Sequence, residues 1–403
     1  MFIDSLFIRL VVKMNNKNKI TSTIAVLFFT ANVVYAQSAG SVDALARDAL
    51  RRLDEVLNGK AAAASAATQS PAGQNVAPVQ STRGGQEPRW VIDPYTAYPR
   101  DLYLAAVGYA PNRAEAEKKA LAALTAIFGQ SIQADFSAVA TYTEAVSKGI
   151  VNSSETTNIR DRVSTSTSLD TLVGAEIGSI WDDACGTVYS VAYLDKERAI
   201  AVYGNMIRTN LTNIEKLTAM TPAEKNMLDG FARYRLAAII AGINAKHAGV
   251  LAQCGGPTAT SLNLPSVDAL NIEASNIIKN VTVIISVKGD RNNRIRDAFT
   301  KAISGEGLRT RGNSPPYMLE VNVDLSEAVF PNNSNKFCRF TVSAELIENS
   351  TDSVMFPFSF TDRVGHSTYE GAQAIALLQA EKIIREKYPA VFREYLEGLL
   401  PKK

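Results

Sequence analysis

The sequence predicts an α+β fold: two domains, each an antiparallel sheet packed on helices, joined by a helical connector. Three observations lead there. At 403 residues the chain exceeds the usual size of one domain. Its strand-like runs fall into two groups, each reading strand, helix, three strands, helix, and not the regular alternation of a doubly wound sheet. Between the groups lies a stretch with a helical apolar period and no strand signal.

The N-terminus carries a secretory signal layout over residues 1–36. Lys17 and Lys19 precede the apolar run Ile24-Ala25-Val26-Leu27-Phe28-Phe29, and Val34-Tyr35-Ala36 sets compact residues before a cut at Gln37. Met14 is a second candidate start, because the residues before it add nothing to that layout. Thr30 and Asn32 interrupt the apolar run, which is short for a membrane span. No cysteine follows Ala36, so no lipid anchor at a mature N-terminal cysteine is expected. The layout therefore predicts export to the periplasm or cell envelope. Export puts Cys185, Cys254 and Cys338 in an oxidising compartment, where three cysteines allow at most one internal bridge. Spacing does not choose between one bridge and three unpaired thiols.

Residues 37–59 predict a short amphipathic helix: Ser41 is an N-cap, Val42, Ala46, Ala49, Leu53 and Val56 form a stripe, and Gly59 ends it. Residues 60–88, rich in Ala, Ser, Gln, Gly and Pro, hold too little apolar surface to offset chain entropy and predict a flexible linker. The first α+β unit covers 89–205. Leu102 to Gly108 reads as a buried strand. Asn112 with Glu115 caps a helix through Phe128, which Gly129 ends. Ile132–Val146 and Arg162–Trp181 read as long strands from their Val, Thr, Ser and Ile content. Gly186–Leu194 completes a meander, and Asp195 opens a helix running past Tyr203.

Residues 206–265 predict the connector, opened by Thr221-Pro222-Ala223-Glu224 and stopped by Gly255-Gly256-Pro257. The second unit covers 266–403. Val281–Val287 is a strand and Gly289-Asp290 turns into a helix containing Ile295, Phe299 and Ile303. Tyr317–Leu325, Phe337–Glu348 and Val354–Asp362 are three strands. Ser367 with Glu370 caps a helix ending near Tyr388, and a last short helix ends at Leu400.

Residues 90–205 resemble the LPP-twenty lipoprotein family. The likeness rests on Tyr103-Leu104-Ala105-Ala106-Val107-Gly108-Tyr109, on Ala114-Glu115-Ala116-Glu117-Lys118-Lys119-Ala120, and on Val188-Tyr189-Ser190-Val191-Ala192-Tyr193-Leu194-Asp195-Lys196. The same order is similar to the N-terminal domain of flagellar assembly T-type proteins. Residues 280–400 look more loosely like the N-terminal domain of TolB-type envelope proteins. The resemblance implies an envelope protein, with a role in assembling a surface structure. It carries no catalytic residues. This chain departs from it in lacking the cysteine that the family acylates.

Candidate sites are few. Lys plus Arg is 42 and Asp plus Glu is 40, so no global field argues for nucleic acid. Two histidines and three cysteines are a sparse supply for a zinc site or a histidine-based triad, and no metal or cofactor is expected. Asp182 and Asp183 beside Cys185 read as a hairpin turn; neighbours on a strand point to opposite faces and do not converge as an acid/base pair. His366 reads as a polar residue ahead of a helix cap. His247 falls in the connector helix without ligand spacing. Arg291, Arg294 and Arg296 cluster at a helix start, where backbone N–H groups favour anions. Trp90, Tyr95, Tyr98, Tyr103 and Tyr109 gather at the entry of the first unit, a density shared by interfaces and ordinary cores. The expected function is non-catalytic protein–protein interaction in the envelope, the partner being another envelope protein or a second copy of the chain. The alternatives are an anion- or glycan-binding protein using the Arg291 cluster and, more remotely, a hydrolase.

Overall fold

The computed structural model describes residues 45–54, 81–83, 86–128, 136–151, 172–290, 292–331 and 333–402. The expected signal peptide, and residues 60–80 of the expected linker, lie outside the described residues. The α+β architecture is as expected: helices cover two separate sheets.

Helix α1, residues 45–54, docks on the first unit instead of standing apart. Ala46, Ala49 and Leu53 of the expected stripe are fully buried in its core. Ion pairs from Arg208 to Asp54 (2.8 Å) and from Arg47 to Glu215 (3.4 Å) flank the stripe. Strand β1 (Ser81–Arg83) lies within the stretch read as linker, yet pairs in parallel with β3. Then come α2 (Arg89–Ile92), β2 (Tyr103–Ala110), α3 (Arg113–Ala126), α4 (Phe136–Ser147), β3 (Glu176–Asp182), β4 (Val188–Asp195) and α5 (Lys196–Thr218). The strand order is β1-β3-β4-β2, with β2 and β3 both antiparallel to β4.

Helix α4 corrects the strand expected over Ile132–Val146. Three alanines favour a helix, and burial of Tyr142 and Ala145 against the helical core overrides the β-preference of Thr and Val. Of the strand expected over Arg162–Trp181, the described residues form only β3. Asn112 and Asp195 cap their helices as expected, accepting from the N–H groups of Glu115 (3.0 Å) and Arg198 (2.9 Å).

The stretch expected as a spacer, and the first helix of the residues expected as the second unit, belong to the first core. Helices α5, α6 (Leu228–Gln253), α7 (Ala259–Leu262) and α8 (Val267–Ile278) bury Ile207, Leu211, Leu236, Ile240, Leu251 and Leu270 in the cluster that also holds Leu104, Leu124 and Leu194. The Thr221–Glu224 box forms, Glu224 accepting from the Thr221 N–H at 2.7 Å, but it opens one 3-10 turn, Glu224–Asn226. Met227 is extended, and α6 starts after it.

The second unit comprises β5 (Val283–Lys288), α9 (Arg294–Gly305), β6 (Tyr317–Ala328), β7 (Lys336–Glu348), β8 (Ser353–His366) and α10 (Tyr369–Glu397). The order β5-β6-β7-β8 is antiparallel except that β5 runs parallel to β6, a pairing that needs a crossover connection, which α9 supplies. Tyr317, Leu319, Val321, Phe340, Val342 and Leu346 face Phe299, Ile303, Ala376, Tyr388 and Phe392. Helix α10 is capped by Thr368, not Ser367, and passes through Pro389 where a break was expected. Proline forfeits one backbone hydrogen bond. The buried stripe Tyr388, Phe392, Leu396 continues across it, with Tyr388 and Phe392 stacked at 5.4 Å. The units meet where Leu228 N donates to the Tyr317 hydroxyl (3.0 Å) and where Lys402 N donates to the Asp229 carboxylate (2.6 Å).

Candidate functional site

The two faces of the first sheet differ in chemistry because side chains alternate along a strand. Leu104, Ala106, Gly108 and Ala110 of β2 face α3, as do Ser190, Ala192 and Leu194 of β4. The opposite face is aromatic. Trp90, Tyr98, Ala105, Trp181 and Val191 are buried there, with Val91, Tyr95, Tyr103, Val107, Tyr189 and Tyr193 packed against them.

The rings make two contacting groups within one hydrophobic cluster. Tyr98 stacks on Tyr193 at 4.8 Å, and Tyr103 meets both edge-on at 6.0 and 5.7 Å. Trp181 lies 5.4 Å from Tyr189, which lies 5.9 Å from Tyr109. The Tyr98 hydroxyl accepts from Ser179 N at 3.1 Å. Gly178 makes room for it, since a Cβ there would sit 2.7 Å from Tyr98 Cζ. Tyr193 donates to Glu176 (2.7 Å), and burial, then that carboxylate, pushes its phenol well above the ordinary tyrosine range. Cations rim the layer: the Arg100 guanidinium lies 4.1 Å from the Tyr95 ring centroid and Lys119 Nζ 5.6 Å from that of Tyr109. One end opens to solvent, where Tyr109 is 61% exposed; Ile92, at the end of α2, is 81% exposed.

The structure thus brings Trp90, Tyr98 and Tyr103 together, sets Tyr95 at the margin and leaves Tyr109 at the open end. The sequence reading missed Trp181, Tyr189 and Tyr193. Their signal is the alternation Tyr189, Val191, Tyr193, which places three ring-facing residues opposite Tyr109, Val107 and Ala105 once β2 and β4 are paired.

Among the described residues, the helix start beside the arginine cluster is already occupied. Asp290 fills the start of α9 with its own carboxylate, accepting from the N–H groups of Arg294 (3.2 Å), Ile295 (2.8 Å) and Arg296 (3.0 Å). Arg294 is taken up by Glu381 (2.7 Å), which also holds Arg385. Arg296 is exposed, and Arg291 lies outside the described residues. The Asp182–Gly186 segment is a turn, in which Asp183 accepts from Cys185 N and Thr187 N. No disulfide joins the three cysteines; Cys185 is exposed, and Cys254 and Cys338 are buried. His366 sits ahead of the α10 cap, its Nδ1 accepting from Thr368 N at 3.2 Å. No group of three potential metal ligands occurs among the described residues, and no described helix is long and apolar enough to cross a membrane.

No family model and no curated protein matches the chain. Among solved structures, a secreted protein of Helicobacter pylori is 14% identical over 74% of this chain and 99% of its own, with a TM-score of 0.36. A minor lipoprotein of Acinetobacter baumannii is 14% identical over 30% of this chain and 98% of its own, at 0.23. A Xanthomonas campestris protein is 17% identical over 29% of this chain and 84% of its own, at 0.22. Likenesses at such identities and scores say nothing of what the chain does, and the LPP-twenty resemblance of residues 90–205 stays a likeness of sequence.

Proposed function

We propose that the chain is an exported envelope protein whose first unit binds another protein through the aromatic face of its sheet. The observation that carries this reading is the open end of that face, Tyr109, backed by rings whose positions are already set. Aromatic residues dominate the energetic centres of protein interfaces, because they bury large areas and have few rotors to immobilise. Tyr189 is held between Trp181 (5.4 Å) and Tyr109 (5.9 Å), so less ordering entropy is left to lose when a partner covers Tyr109 and Tyr189. The basic, apolar, small-residue layout of residues 1–36 supplies the compartment. By the family resemblance, the partner is a component of a surface assembly.

Photo-crosslinking in intact cells tests the contact. A photoreactive side chain in place of Tyr109 is expected to trap one discrete protein, and the same probe in place of the exposed Lys382 on α10 is not. Equal trapping at both positions, or none at Tyr109, overturns the reading.

A further inference from the structure

A second cluster, on the outer face of the other sheet, is used by neither the aromatic layer nor the start of α9. There β6, β7 and β8 keep one register, so three rows cross the strands: Ala328–Phe337–Gly365, Ser326–Arg339–Arg363 and Asp324–Thr341–Thr361. Directly opposed residues in an antiparallel ladder share a face, with Cβ atoms about 5 Å apart. The alternate residues Cys338, Phe340 and Val342 are buried under the helices, so these rows face solvent.

The middle row sets two guanidinium groups directly across from each other. Like charges so placed weaken a ladder. Neither arginine has an ion-pair partner among the described residues, although most other arginines of the second sheet and its helices do. What holds Arg363 is a ring: its guanidinium carbon lies 4.9 Å from the Phe330 centroid. Phe330 is braced edge-on by Phe337 at 4.8 Å. Phe337 lies over Gly365, where a Cβ would come within 2.7 Å of the ring. On the other side of the row, the Thr341 and Thr361 hydroxyls share a 2.9 Å hydrogen bond, and Ser326 adjoins Arg339. The repulsive pair therefore sits in a shaped setting: an aromatic wall along one edge and hydroxyls along the other.

We infer that Arg339 and Arg363 form a binding site for an oxyanion, the phosphate or carboxylate group of a ligand. An oxyanion between two planar guanidinium forks replaces their repulsion with charge-assisted hydrogen bonds from both. The Phe330 contact holds one fork in advance, which lowers the ordering cost of binding. Asp324, one row away and diagonal to Arg339, is the acidic group nearest in register that opposes an incoming anion; Glu320 and Glu345 share the face two rows beyond it. Glu327 and Lys336 alternate onto the other face and pair with each other at 3.7 Å. The site is independent of the aromatic contact proposed above.

Calorimetric titration of the full purified chain at low salt tests the inference, with inorganic pyrophosphate and citrate as separate probes. Saturable binding of either is expected. Binding of pyrophosphate alone assigns a phosphate group, and binding of citrate alone a carboxylate. Arg339→Gln and Arg363→Gln should each weaken binding roughly tenfold, and the pair should abolish it. Asp324→Asn should strengthen it. Both arginines are exposed, so these variants fold, and without ligand Arg339→Gln should melt at the same temperature or higher because a repulsion is relieved. Excess probe should then raise the melting temperature of the parent protein but not of the double variant. No saturable binding of either probe, or binding unchanged in the double variant, overturns the site.

Discussion

Gly108→Ala is expected to destabilise the first unit by about 3 kcal/mol, read as a lowered midpoint of chemical denaturation at unchanged slope. A Cβ at this position would lie 2.6 Å from the Ala116 carbonyl oxygen and closer still to the Ala120 amide nitrogen, both backbone atoms of α3. A flexible side chain could swing aside; a helix backbone can yield only by lifting the whole helix from the sheet. That movement would open the layer formed by Leu104, Ala120 and Leu124, which is otherwise sealed. Gly305, with nothing within 4 Å of a built Cβ and no positive φ, is the matched control. Gly305→Ala should leave stability unchanged or slightly raised. If the two substitutions behave alike, the close approach of β2 to α3 is wrong.

Between pH 7 and pH 4 the protein is expected to lose about 3 kcal/mol of stability through His247 alone. Burial first, and the neighbouring Lys246 charge second, bring its imidazole down from the ordinary 6.5 to about 4. The ring packs 5.4 Å from Tyr203, and Nδ1 is buried with no hydrogen-bond partner among the described residues. Nδ1 has no acceptor there with which to share a positive charge. The unfolded chain takes up a proton near pH 6.5 and the folded chain only near 4. The stabilisation is therefore complete above pH 6.5 and declines as pH falls toward the folded value. His247→Leu should flatten this interval of the stability profile relative to the parent, whatever the carboxylates contribute to both. An unchanged slope in the variant would mean that the ring is solvated.

Much of the architecture was legible from local chemistry. Asn112 and Asp195 each supply an acceptor for N–H groups that have no partner within their helices, and both helices start where those residues stand. The second unit was read nearly strand for strand, because one covered face and one solvated face make alternation unambiguous on β6 and β7. The failures share a cause: the deciding interaction was distant in sequence. Phe136–Ser147 looks extended by composition and is helical because Tyr142 reaches Asn210, 68 residues on, at 3.0 Å. Pro389 should end a helix, yet rings of β8 and α10 stack across it. β1 is a strand only because β3 offers an edge.

Sites follow the same rule. The aromatic residues near the start of the first unit were visible, but Trp181, Tyr189 and Tyr193 join them only through the β2–β4 register. The arginines at 294 and 296 drew attention by adjacency, and adjacency could not show Asp290 turning back into the helix start. Arg339 and Arg363 lie on separate strands and become neighbours only when those strands pair.

The partner contact presupposes a chain that works outside the cytosol, and the mature N-terminus reports on that most directly. Cells producing the full chain should be fractionated and the protein from the periplasmic and membrane fractions sequenced from its first residue. The account predicts a polypeptide beginning at Gln37 and recovered outside the cytosol. A chain that stays in the cytosolic fraction and still begins at Met1 or Met14 would contradict it.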